Sequence, residues 1–259
     1  MCSSDLFINV AKYPLTRLQS TTASETAKLM ENSFRAVSIA FVEEWARFAE
    51  AVGVDLFQVV EAIRRRPTHN NIRQPGFGVG GYCLTKDPLL PGVAAREIFG
   101  RPDLLFPFSE QAVQTNQKMP LVSLKALEKL LGDLTRKRIL ILGVTYRQDV
   151  ADTRNSPSET FAIAARKRGA EILAHDPLVD YWPEMEMRVQ CGPLPPASSV
   201  DAVVFCVAHK AYRQLDLAGW LAAGGQPVVL DTIGLLNDLQ WAAVRAAGAV
   251  HGAIGKGPL

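Results

Sequence analysis

The 259-residue sequence is poor in cysteine, and its four, Cys2, Cys83, Cys191 and Cys206, form no CxxC pair. That spacing excludes a disulfide framework and a thiolate zinc site, and predicts reduced thiols in a cytoplasmic setting. The histidines, His69, His175, His209 and His251, are equally scattered, so no metal is expected. No apolar run approaches the roughly 18 residues of a membrane span, and the opening residues lack the pattern of a secretory signal, so no membrane partner is expected. Charge of one sign is not in excess: the formal net charge is +2, and the run Arg64-Arg65-Arg66 has no interleaved aromatics. Nucleic acid is therefore not an expected partner, and the arginines suit the negative end of a helix dipole instead. Finally, no GxGxxG stands after a first strand, so the dinucleotide-binding fingerprint is missing.

What is present is concentrated in one stretch, Gly76-Phe77-Gly78-Val79-Gly80-Gly81-Tyr82-Cys83-Leu84-Thr85-Lys86-Asp87. Gly76, Gly78, Gly80 and Gly81 let a backbone lie against a ligand without Cβ interference. A thiol at the end of such a loop, with a cation three positions on and a carboxylate four on, supplies a nucleophile, a charge that favours its thiolate, and a proton handler. A free cysteine is more often a small core hydrophobe, which is the reading given to Cys206 within Val203-Val204-Phe205-Cys206-Val207.

Around this loop the periodicity is helical, then alternating. Thr22 to Gly53 reads as one long amphipathic helix with Ala27, Met30, Phe34, Val37, Phe41 and Phe48 on its apolar face, capped by a box of Thr22 and Glu25. Glu25, Lys28, Asn32 and Arg35 repeat at three-and-four spacing as a polar stripe. Such a stripe is ordinarily a solvated face, but Asn32 is a mediocre helix former with no charge. A second helix runs from the N-cap Asp55 through Ile63, and a third pattern spans Ser109 to Leu131, interrupted by Pro120. From Arg136 onward, short apolar runs at 138–142, 171–174, 202–207 and 227–230 alternate with helical segments, as in a parallel sheet covered on both faces. Ser156-Pro157-Ser158-Glu159 opens the first crossover helix, and a nucleotide site is expected at the carboxyl end of the first strand.

The glycine loop resembles the signature GxGxGGxCxxKD of the nucleotide-sugar 6-dehydrogenases, the family of UDP-glucose, UDP-N-acetyl-hexosamine and GDP-mannose dehydrogenases. Glu25 to Arg35, Leu142-Gly143-Val144-Thr145-Tyr146-Arg147 and Asp152-Thr153-Arg154-Asn155-Ser156-Pro157 agree with it in order and spacing. The resemblance implies an α/β chain: a helical central dimerisation domain, then a Rossmann-like parallel-sheet domain that binds the UDP-sugar. The implied division is 1–20 as the remnant of an NAD-binding domain, with a last strand at Phe7 to Val10 and first residues of artefactual origin. The central domain with its loop covers 21–108, a connecting helix 109–135, and the UDP-sugar domain 136–259.

The activity implied is oxidation of a sugar C6 alcohol to a carboxylate, as in polysaccharide biosynthesis, by two hydride transfers to NAD. Cys83 carries a thiohemiacetal and then a thioester, Lys28 holds the oxyanion, Asn32 orients the sugar, and Asp87 assists water. Gln74, Phe77, Gly78 and Gly80 lie along sugar and pyrophosphate, Tyr146 and Arg147 contact the UDP moiety, and Lys86 and Arg154 face the cofactor. Arg147 replaces the family's usual lysine, and Glu43-Glu44 its usual Asn-Glu. Arg66 or Arg73 corresponds to an arginine that reaches the sugar site of the second subunit of a homodimer. Tyr82 and Lys86 side with the glucose type, Val79 and Asp87-Pro88 with the N-acetyl-hexosamine and mannose types, so the sugar stays open. Since the family's first domain also supplies active-site groups, the resemblance implies a fragment inactive by itself; the alternative is a non-catalytic, dimerising UDP-sugar-binding module.

Overall fold

The computed structural model of the chain describes residues 16–257. The strand expected at Phe7 to Val10 lies outside them. Helix α1 (Thr21–Val52) starts where the Ser20 side chain accepts a hydrogen bond from the Ala23 N–H, and stops at Gly53 in the left-handed region, φ 76°. The sequence places the cap at Thr22. Thr22 is instead already helical, its carbonyl accepting from the Thr26 hydroxyl.

A larger difference concerns the face that α1 buries. Met30, Phe34, Phe41 and Phe48 of the expected apolar stripe are exposed, and Trp45 with them, whereas Ala36, Ala40, Val42, Ala46 and Ala49 face inward. The partner is α5 (Pro107–Leu131), which runs along α1 and whose Asn116 side chain donates to the Ala36 carbonyl at 3.1 Å. Only small side chains fit between two helix backbones brought that near. Helix α5 also passes through Pro120 without ending, against the expected interruption. The cost of a proline inside a helix is the lost bond to the carbonyl four residues back, here that of Asn116. Gly78 of the glycine loop lies against that same carbonyl, 3.2 Å from where a Cβ would stand.

Between these helices come α2 (Leu56–Arg64), capped by the Asp55 carboxylate, then α3 (Cys83–Lys86) and α4 (Leu90–Glu97). After α5 the chain enters a five-stranded parallel sheet of β1 (Arg138–Leu142), β2 (Glu171–His175), β5 (Ala202–Phe205), β6 (Val228–Asp231) and β7 (His251–Ala253), in spatial order β2-β1-β5-β6-β7. A two-stranded hairpin of β3 (Tyr181–Trp182) and β4 (Met187–Arg188) follows β2. The crossovers are α6 (Pro157–Lys167), α7 (Lys210–Arg213), α8 (Leu217–Ala222) and α9 (Asp238–Ala246).

Both faces of the sheet are covered, and β1 shows the consequence of a period of two. Ile139 and Ile141 pack with Leu124, Leu127, Phe161 and Ala165 on the side of α5 and α6, while Leu140 and Leu142 pack with Leu217, Leu221, Trp241 and Val244 on the side of α8 and α9. These four β1 side chains are fully buried, each contributing roughly 1.5–3 kcal/mol relative to exposure. Helix α5 thus serves two units, lining α1 with one end and the sheet with the other. A second tie is the segment after β7: the Gly255 carbonyl accepts from the Leu56 N–H at 2.9 Å, and its N–H donates to the Glu50 carboxylate at 2.7 Å.

Candidate functional site

The sheet order reverses direction at β1. From β1 the chain goes outward to β2 on one side and returns to β5 on the other, leaving a crevice at the carboxyl ends of β1 and β5, where an open α/β sheet offers a ligand site. A cavity of about 370 Å³ lies there. Its walls are Thr145 to Gln148 after β1, Cys206 to Ala208 after β5, and Gly76 to Gly78 of the glycine loop. Tyr146, Arg147, Phe77 and Gly78 are thereby brought together; Phe77 is also buried and packs against Phe161, the ring centroids 5.6 Å apart and the planes tilted by 54°. Gln74 stands apart, exposed, with its amide donating to Glu61 at 3.0 Å.

The loop continues from this cavity toward Cys83 pressed against the segment that follows β1. A Cβ on Gly80 would meet the Asn155 carbonyl at 2.6 Å and the Tyr146 Cβ at 2.9 Å, and one on Gly81, at φ 76°, would meet the Tyr146 ring at 2.8 Å. Close approach, not flexibility, is why these two positions are glycine. The Gly81 N–H donates to the Asn155 carbonyl at 3.2 Å and fixes the contact.

At the far end of the loop, residues from three elements meet. Lys28 and Asn32, one turn apart on α1, both reach Asp87: the lysine Nζ lies 3.1 Å from Oδ2 and the Asn32 amide donates to the same oxygen at 2.8 Å. Asp87 and Asn32 are buried while the Lys28 side chain is 62% exposed, so the ammonium sits at the mouth of the crevice. Its pKa is raised, first by the hydrogen bond and charge of Asp87 and to a smaller extent by the Cys83 sulfur. Cys83 is exposed at the start of α3, whose last turn brings the Asp87 N–H to the Cys83 carbonyl. Lys86 and Arg154 both lie over the Tyr82 ring, at 5.1 and 5.9 Å from its centroid, and Arg154 is paired bidentately with Asp152.

Two groups at the back of the site went unread in the sequence. Glu43 is buried on α1 and accepts the Gly76 N–H at 2.8 Å on one oxygen, with no hydrogen-bond partner for the other. Burial, opposed by the Gly76 bond and by Arg47, pushes its carboxyl up to about 7. Behind the loop after β1, Asp176 and His209 are fully buried against each other at 3.1 Å, Nε2 to Oδ2. For Glu43 the only signal was its departure from the family's asparagine; for His209 and Asp176 there was none short of the sheet order. Among the described residues no three His, Cys, Asp or Glu are grouped to hold a metal, and no helix is long and apolar enough to cross a membrane.

Comparison with known proteins places this architecture. Residues 22–118 match the central domain of the UDP-glucose/GDP-mannose dehydrogenase family, and residues 140–238 match that family's UDP binding domain. The chain belongs to this family. Among its relatives is a UDP-N-acetyl-D-mannosamine dehydrogenase of Pyrococcus horikoshii, 33% identical over 203 residues, which are 77% of this chain and 45% of the relative. An NDP-N-acetyl-D-galactosaminuronic acid dehydrogenase of Ralstonia solanacearum is 29% identical over 226 residues, 86% of this chain and 49% of that protein. The crystal structure of the enzyme of that name from Methanosarcina mazei superposes with a TM-score of 0.80 at 28% identity, over 92% of this chain and 51% of its own. The chain therefore spans about half the length of the relatives it matches.

Proposed function

We propose that the chain is the thiol-bearing and UDP-binding part of an NAD-dependent dehydrogenase that oxidises the C6 alcohol of a UDP-sugar to the acid. The observation that carries this reading is the meeting of Lys28, Asn32 and Asp87 beside Cys83, joined by the glycine loop to the cavity at the ends of β1 and β5. UDP occupies that cavity, its pyrophosphate against Arg147 and the loop amides, and the sugar then extends along the loop toward Cys83. The names of the relatives put UDP-N-acetyl-hexosamines first among the sugars to try.

NAD, when bound, would supply the hydride acceptor for both oxidations at C6. The alcohol gives up a hydride there, and its hydroxyl proton passes by way of the Asp87 carboxylate to solvent, leaving the aldehyde. The Cys83 thiolate adds to the aldehyde carbon, and the oxygen takes up charge next to the Lys28 ammonium, which stabilises it in place. Loss of a second hydride from the thiohemiacetal gives a thioester. Asp87, with only Oδ2 engaged by Lys28 and Asn32, takes a proton from the water that cleaves it, releasing the carboxylate and restoring the thiol. Lys86 and Arg154, converging on Tyr82 next to Cys83, would hold the cofactor's phosphates there. The exposed aromatics of α1, Phe34, Phe41, Trp45 and Phe48, support a homodimer closed across that helix.

Calorimetric titration of the chain with UDP tests the binding half: one site per chain is expected, and no heat with UDP or any UDP-hexose sinks the reading. Alkylation of Cys83 tests the geometry. UDP-N-acetyl-hexosamine slows it and UDP alone does not. In a protein that includes the family's first domain, two NADH per sugar are expected, and Cys83→Ala ends acid formation.

A further inference from the structure

We propose that His209 is a positioning residue for the nucleotide: held as the neutral imidazole with its proton on Nε2, it fixes the loop that presents Tyr146 and Arg147 to the cavity. This rests on the UDP reading given above. His209 itself lines no part of the cavity and is fully buried behind it. Its Nδ1 lies 3.0 Å from the Asp149 backbone N–H, which can only donate, so Nδ1 is the acceptor. The one ring proton is therefore on Nε2, shared between the Asp176 carboxylate at 3.1 Å and the Thr145 hydroxyl at 3.1 Å. That hydroxyl in turn donates to the Arg147 carbonyl at 3.1 Å.

The imidazole thus grips the loop at both ends, through Thr145 before the two nucleotide-facing residues and Asp149 after them. Other bonds hold the loop, from the Tyr146 N–H to the Asp152 carbonyl at 2.9 Å, from the Ser156 hydroxyl to the Thr145 carbonyl at 3.2 Å and from the Lys210 N–H to the Asp149 carboxylate at 3.2 Å, but His209 is the group that takes the Asp149 backbone N–H. Tyr146, Arg147 and Gln148 reach the cavity, and Asp149 adopts a left-handed conformation, φ 56°, that a non-glycine residue keeps only when its surroundings impose it. Asp176 anchors the whole arrangement to the sheet. It accepts the Val144, Thr145 and Leu178 N–H groups at 2.9, 3.3 and 2.9 Å, so the ring orientation is set by a carboxylate that is itself immobilised.

Two amide substitutions separate this role from space filling. In His209→Asn the side-chain carbonyl stands where Nδ1 does and can still accept the Asp149 N–H. In His209→Gln the amide donor reaches the Asp176 side and the Asp149 acceptor is lost. We expect UDP affinity, measured by calorimetry, to stay within about threefold for Asn and to fall at least about tenfold for Gln, the scale of a buried donor left without its acceptor. A residue that merely fills volume gives the opposite order, because glutamine is nearer histidine in size. Hydrogen exchange is read on the same samples. In the Gln variant, amides 145–150 lose protection while 138–142 keep theirs; loss across both stretches, equal affinities for the two variants, or the reverse order overturns the proposal. Wild-type chain that does not bind UDP at all removes the functional reading first and this inference with it, an outcome distinct from binding in wild type and in both variants alike.

Discussion

Two of the buried carboxylates at the site do opposite things with their surroundings. Asp176 spends its oxygens on three backbone N–H groups and an imidazole, all from the segments after β1 and β5 or next to itself. Burial alone would raise its pKa, but the bonds from His209, Val144 and Leu178 outweigh it and hold the carboxyl below its usual value. Asp87 is as deeply buried but takes only two side chains, Lys28 and Asn32, on a single oxygen, and one of those partners is largely exposed. The first arrangement is saturated and fixes the backbone; the second keeps acceptor capacity where a reacting molecule would stand. On the function proposed above, the two arrangements suit two tasks: a rigid sheet end to hold a nucleotide, and a helical crevice left open for chemistry.

The strongest way to break that comparison is Asp176→Ala. It strands three backbone donors and the His209 ring in a dry interior, so a loss of about 3–5 kcal/mol is expected from urea denaturation. The pH dependence follows from the sign of the shift. A carboxyl whose folded pKa is depressed stabilises the fold above its unfolded value, near about 4, and that contribution goes as pH falls through the folded value. A loss under about 1 kcal/mol would mean that Asp176 is no more structural than Asp87.

Glu43 sharpens the contrast from the other side. It too is a buried carboxylate bonded to a backbone N–H of the site, but with one bond and an orphaned second oxygen, and burial pushes it up to about 7. Its folded form prefers to carry a proton, so stability is fully present below the ordinary value of 4.5 and declines as pH rises toward 7. Glu43→Gln keeps an acceptor for the Gly76 N–H and removes that decline. The variant should gain up to roughly 3 kcal/mol at pH 8 and almost nothing near pH 4.5, by urea midpoints at the two values. Equal gains at both would show that desolvation of the charge is not what distinguishes Glu43 from Asp176.

How much of this was visible in the residues alone depended on the range of the interaction. The glycine loop and the Lys28–Asn32 spacing are local, and the alternation after Arg136 announced a parallel sheet. Even the cap of α6 stands where Ser156-Pro157 put it, the serine accepting from the Ser158 N–H. The face of α1 was misjudged because its buried side is alanine, chosen for the closeness of α5, while its large apolar residues point outward; a hydrophobicity pattern weighs size and so selected the wrong face. Strand β7, His-Gly-Ala, carries no apolar run and is a strand only because β6 offers it an edge. The Asp176–His209 pair is 33 residues apart on different loops, and Glu43 is marked in the sequence only by its departure from the family's asparagine. Neither follows from any spacing; both need the order of strands or the position of the loop.

The smallest effect separates the contributions at the open end of the site. Lys28 has its ammonium raised chiefly by Asp87 and to a lesser degree by Cys83, although the side chain itself is solvated. Asp87→Asn keeps the shape and an acceptor of the buried side chain and Cys83 is exposed, so neither Asp87→Asn nor Cys83→Ala is expected to shift the Lys28 titration through unfolding, and the reading is local. Nitrogen NMR of lysine-labelled protein should show the Lys28 titration moving down in both variants, further for Asp87→Asn than for Cys83→Ala. The reverse order would put the sulfur, not the carboxylate, as the main partner of the ammonium. Lys28 would then be paired in the resting protein with the sulfur, Asp87 would keep Asn32 alone on its bonded oxygen, and the contrast with the saturated cluster behind Arg147 would be sharper still.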